Sequence, residues 1–100
     1  MKKLLFLVPV RDNDGRSFHA EDWEWVELRL LELAGGFTME GEVLGQWRGD
    51  DGTVYQDTSR RYAIAMAELE QAWGLLGEVK KRFRQEALYT EQPEVRVEIL

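Results

Sequence analysis

The segment from Lys3 to Val10 carries apolar residues at both parities: Leu4, Phe6, Val8 and Val10 alternate with Leu5 and Leu7. A run that short cannot cross a membrane, and a strand apolar on both sides must be covered on both faces, so it is expected at the centre of a sheet. Lys2 and Lys3 before it resemble the start of an export signal. No small-residue cleavage site follows, however, and the run passes at Pro9-Val10 directly into Arg11-Asp12-Asn13-Asp14-Gly15, which is turn chemistry.

The hydrophobic period then changes three times. Trp23, Val26, Leu30 and Leu33 keep helical spacing, and Phe18 and Trp23 stand at the N′ and N4 positions of a hydrophobic staple. His19 is then the N-cap and Gly35-Gly36 the left-handed stop. Trp25, Leu28 and Leu31 fall off that face. Phe37 to Arg48 and Thr53 to Ala67 alternate with period two around Gly49-Asp50-Asp51-Gly52, a hairpin that sets Trp47 opposite Tyr55. This register puts Phe37, Met39, Val43 and Trp47 with Ala63 and Ala65 on one face, and Leu44, Tyr62, Ile64 and Met66 on the other. A second helix places Leu69, Ala72, Trp73, Leu76, Val79 and Phe83 on one face and runs to about Arg84. The tail reads as strand at 87–90 and again at 94–100, interrupted by Pro93, which cannot donate a ladder hydrogen bond.

The order is β-α-β-β-α-β in a single domain spanning residues 1–100. The expected class is α+β, ferredoxin-like, an antiparallel sheet with two helices on one face. Such a sheet needs one apolar face, and this one offers two. The second, Leu44, Tyr62, Ile64 and Met66, implies a homodimer through the sheet.

Charge and chemistry remove several functions. The net charge of −6 is −4 over residues 1–50 and −2 over 51–100, so neither half is a basic arm and nucleic acid is not expected as a partner. There is no cysteine and one histidine, His19, which leaves no structural zinc site and fits a cytoplasmic location. Asp12, Asp14, Gly15 and Glu21 match four positions of a calcium-binding loop, but Val10 occupies the first ligand position, so a plain turn is expected and no metal. Ser17 and Ser59 lack a nucleophile-elbow context, and no glycine-rich phosphate loop occurs, so no cofactor is expected either. Lys80, Lys81, Arg82 and Arg84 are expected to complement the dipole at the end of the second helix, with an anion or acidic-partner patch as the alternative. Arg60 and Arg61 beside Tyr62 have guanidinium forks that match a carboxylate in a cleft, although such a pair is more often a solvated strand edge.

Gly45-Gln46-Trp47 within Gly41–Trp47, the turn Asp51-Gly52, Ser59-Arg60 and the exit Phe83-Arg84-Gln85-Glu86-Ala87-Leu88, with Trp23 in the first helix, resemble a family of small uncharacterised bacterial proteins. The resemblance spans most of residues 15–90. It implies a ferredoxin-like fold related to dimeric α/β barrels, and it brings no established activity and no catalytic residue.

The expectation is a homo-oligomeric binding or structural module that dimerises through its sheet face. The alternative is a small cofactor-independent enzyme of the dimeric α/β-barrel type with a cleft between sheet and helices, into which His19, Trp47, Tyr55, Arg61 and Gln85 reach toward a small-molecule ligand.

Overall fold

A computed structural model describes residues 1–100. The elements are β1 (Lys2–Pro9), α1 (Ala20–Ala34), β2 (Thr38–Arg48), β3 (Val54–Met66), α2 (Glu70–Arg82) and β4 (Thr90–Glu91). They form a four-stranded sheet in the order β2-β3-β1-β4, with every neighbouring pair antiparallel. The doubly apolar first strand is indeed central, between β3 and β4. No helix is long and apolar enough to cross a membrane.

The cap signals of α1 are realised. His19 is its N-cap, with the backbone N–H donating to the Asp22 carboxylate at 3.1 Å. Gly35 ends the helix at φ 76°, a left-handed conformation that costs glycine least. The Phe18 and Trp23 rings of the staple lie 6.3 Å apart, edge to face. In α2 the buried face is Leu69, Ala72, Leu75, Leu76, Val79 and Phe83, so Leu75 belongs to the core, while Trp73, expected there, is 40% exposed. Gln85 N–H and Arg84 N–H return to the carbonyls of Lys80 and Lys81, and Arg84 takes φ 51°, which stops the helix at Arg82.

The register assigns the faces. Leu4 faces Ile64, Phe6 faces Tyr62 and Val8 faces Arg60. All of these but Arg60 meet Trp23, Val26 and Leu30 of α1 and the buried face of α2 in one core cluster. Phe6 stacks on Tyr62 at 5.5 Å. The expected dimer face is corrected here: Tyr62 is 0% and Ile64 4% exposed because both helices cover them, and Met66 is half-buried against the same core. Leu44 alone of the four stands out in solvent. The physical reason is residue size. The small Ala63 and Ala65 suit the helix-free face, and the bulky alternates fill the interior. A bulge between Met39 and Gly41 adds the second cause, since Met39 pairs with Tyr62 whereas Gly41 pairs with Arg61, so Met39 and Val43 part to opposite faces.

Gly41 adopts φ 113° at that bulge, with open space where a Cβ would stand. Gly41→Ala is therefore expected to cost about 1–3 kcal/mol through backbone strain alone. A urea midpoint within error of the parent would show that the bulge is unstrained.

The expected C-terminal strands shrink to Thr90–Glu91. No strand or helix forms beyond Glu91.

Candidate functional site

The space between sheet and helices is filled by the core, so the cleft expected there is absent. An open cleft of about 910 Å³ lies instead on the helix-free face. Its floor follows from the register, since Pro9 faces Ser59, Val43 faces Ser59, Gly45 faces Asp57 and Trp47 faces Tyr55. Gly45 leaves the floor bare between its neighbours. One wall is the Val10–Gly15 loop and the other the 85–89 segment that follows α2.

Trp47 and Tyr55 form an aromatic shelf, with ring centroids 4.6 Å apart and planes 20° from parallel. Both stay partly in solvent, at 53% and 42% exposure, so ring surface remains for a ligand. The Trp47 indole N–H donates to Asp57 Oδ2 at 2.9 Å and fixes a carboxylate beside the shelf. Ser59, the one buried polar residue, is on the floor.

The loop wall is held by Asp12. Its carboxylate accepts the backbone N–H groups of Asp14 and Arg16, both at 2.9 Å, and the Arg84 guanidinium at 3.0 Å. The carboxylate that a calcium loop would use is thus engaged in a turn. These hydrogen bonds, the Arg16 N–H first, hold the Asp12 carboxyl below the usual carboxylate range. A carboxyl depressed on folding adds stability above its ordinary value of 3.8 and loses it as the pH falls through the folded value. Thermal midpoints are therefore expected to drop below about pH 4, less steeply for Asp12→Asn. An equal acid slope in that variant would remove Asp12 from the account.

Of the residues singled out in the sequence, Trp47, Tyr55 and Gln85 line this cleft. Gln85 donates its amide N–H to the Phe83 carbonyl at 2.9 Å, so part of its capacity caps α2. Arg61 faces the same side of the sheet beside Leu7 but is held by Glu40 at 2.7 Å and Glu91 at 3.6 Å. His19 caps α1, exposed and outside the cleft. Arg60 and Tyr62 do not form a carboxylate clamp open to a ligand. Both bond Glu27 of α1, Tyr62 O–H at 2.7 Å and Arg60 at 3.4 Å, and Arg60 covers Trp23. Burial, then the Glu27 bond, pushes the Tyr62 phenol above its usual range. Asp12, Asp57 and Ser59 were missed as site residues. Asp57 had a legible signal, because it follows Tyr55 by two along the same strand and so shares its face.

No family model matches the chain and no curated protein does. The resemblance to small bacterial proteins therefore finds no family support. Among solved structures, a phage SAM lyase in complex with S-methyl-5'-thioadenosine is similar, at a TM-score of 0.59 and 14% identity over 96% of this chain and 92% of that one. The same lyase in the apo state gives a TM-score of 0.57 at 13% identity, with the same coverage. What is shared is the fold. The expectation of a binding or structural module dimerising through its sheet is overturned, since these neighbours are an enzyme and half of the presumed face lies in the core.

Proposed function

We propose that this chain is a small enzyme that binds an adenosine thioether or sulfonium in the helix-free cleft and releases S-methyl-5'-thioadenosine from S-adenosylmethionine. The observation that carries the reading is the Trp47–Tyr55 shelf with Asp57 fixed beside it, in a fold shared over 96% of the chain with a phage SAM lyase. An open indole face suits a purine, and base–aromatic stacking contributes about 1–3 kcal/mol. The same aromatic surface attracts an onium cation through its quadrupole, and the Asp57 carboxylate adds a fixed negative charge.

The chemistry asks little of the protein. When the bond between sulfur and the amino-acid carbon breaks, its electron pair goes to the sulfonium and leaves a neutral thioether, so the leaving group needs no proton. The four-carbon remainder is completed either by its own carboxylate oxygen, closing a lactone, or by loss of a proton from the neighbouring carbon. Positioning is then the main task, and a cleft with two walls over a flat floor suits it. The element order, with β1 and β3 central, supports reading the architecture as ferredoxin-like. A cysteine-free chain acting on such a metabolite fits a cytoplasmic location.

Incubation with S-adenosylmethionine is expected to yield S-methyl-5'-thioadenosine on chromatography, and the second product, lactone or unsaturated amino acid, reports the route. No release, together with a Tm unmoved by millimolar S-methyl-5'-thioadenosine, would overturn the proposal.

A further inference from the structure

Six of the last seven residues, Glu94-Val95-Arg96-Val97-Glu98-Ile99, alternate charged and apolar side chains as a half-buried strand does, yet no strand forms there. Their backbone is almost unpaired. Between residues 94 and 100 the backbone partners are the Pro93 carbonyl, which accepts Val95 N–H, and the terminal ammonium of Met1, which donates to Val97 at 3.5 Å. Val95 is 51% and Ile99 76% exposed.

The register shows where the ladder with β1 stops. Glu91 faces Leu5 and Thr90 faces Phe6. Continued at that register, Pro93 would oppose Lys3 without an N–H to give, and Val95 would oppose Met1. The ladder with β1 accordingly stops at Glu91, and the backbone after Pro93 leaves it. An alternating strand with unused N–H and C=O groups is a template for another strand edge.

We infer that the C-terminal segment pairs with the same segment of a second copy, antiparallel across a two-fold axis at Val97. This register is selected by charge. It sets Arg96 of each chain opposite Glu98 of the other and Val95 opposite Ile99, with Val95, Val97 and Ile99 on one face and Glu94, Arg96 and Glu98 on the other, where Leu100 lies opposite Glu94. Shifting by two residues in either direction removes the match, because Arg96 then opposes its own copy or Leu100. Opposite charges directly across an antiparallel pair stabilise it and like charges destabilise it. Arg96 and Glu98 already point to the same side, forming an ion pair within one chain at 2.5 Å. The interface is isologous, as the commonest closed assembly requires. It lies away from the helix-covered face, so it replaces the contact through Leu44, Tyr62, Ile64 and Met66.

Charge exchange in the full chain tests the pairing without touching the core. The parent is expected at twice 11.7 kDa by light scattering at micromolar concentration. Arg96→Glu and Glu98→Arg, each checked for unchanged circular dichroism, are expected to weaken association at least several-fold. The double variant Arg96→Glu, Glu98→Arg is expected to restore it, because the exchanged charges again face each other across the axis. A monomeric parent overturns the inference, and so does a double variant no better than the singles, which would place the segment on a different edge.

Discussion

Phe83→Ala is expected to destabilise the protein by about 3–5 kcal/mol, the range for deleting a fully buried aromatic side chain. Phe83 is 0% exposed and stands where three elements meet. Its ring lies 4.7 Å from Phe18, at the end of the loop that walls the cleft, and 5.0 Å from Trp23 of α1. Arg84, the next residue, crosses to Asp12 and lies over Phe18. The loss would therefore loosen the Val10–Gly15 wall as well as the core, and ligand affinity should fall with stability. Trp73→Ala is the matched control on the same helix. At 40% exposure it is expected to cost about 1 kcal/mol or less, as surface substitutions do. Urea unfolding separates the two, and equal midpoints would mean that the buried face of α2 is misdrawn.

The difference between these two positions also marks how far the sequence could be read. Residues signalling through the local backbone were legible: Phe18, His19 and Trp23 opened α1, Gly35 closed it, and the Gly49–Gly52 loop put Trp47 opposite Tyr55. Which side of the sheet the helices take is not a local property. It was decided by the match of Phe6 with Tyr62 and Leu4 with Ile64 across β1 and β3, a pairing between segments more than fifty residues apart. The bulge at Gly41 then broke the parity on which the face assignment of β2 rested. The same error hid the cleft, because a helix-free face built of Gly45, Ser59 and Ala63 reads as featureless until the loop and the 85–89 segment rise on either side of it. Trp47 and Tyr55 stand out in the sequence as candidates, while Asp57 takes its place beside them only through the indole N–H that reaches it. The tail shows the converse. Its alternation is plain in the sequence, whereas the stop of its pairing at Glu91, ahead of Pro93, shows only in the register.

Trp47 carries the second large effect, and here binding should change while the fold does not. If the indole is the surface on which the adenine rests, Trp47→Ala removes one stacking contact of about 1–3 kcal/mol, which is roughly 5- to 150-fold in Kd for S-methyl-5'-thioadenosine. Stability should fall by at most about 1.5 kcal/mol, the value of one aromatic pair, since the side chain is already 53% exposed. Trp47→Phe divides the two roles of the residue. A phenyl ring keeps a face for the base and for Tyr55 but has no N–H to hold Asp57, whose bond with the indole is 2.9 Å in the parent. The neutral thioether should then bind nearly as in the parent, whereas the cationic sulfonium, which depends on the placed carboxylate, should lose affinity and turnover. Isothermal titration with both ligands reads the contrast. Equal affinity of all three proteins for both ligands, at unchanged urea midpoints, would move the nucleoside away from this shelf.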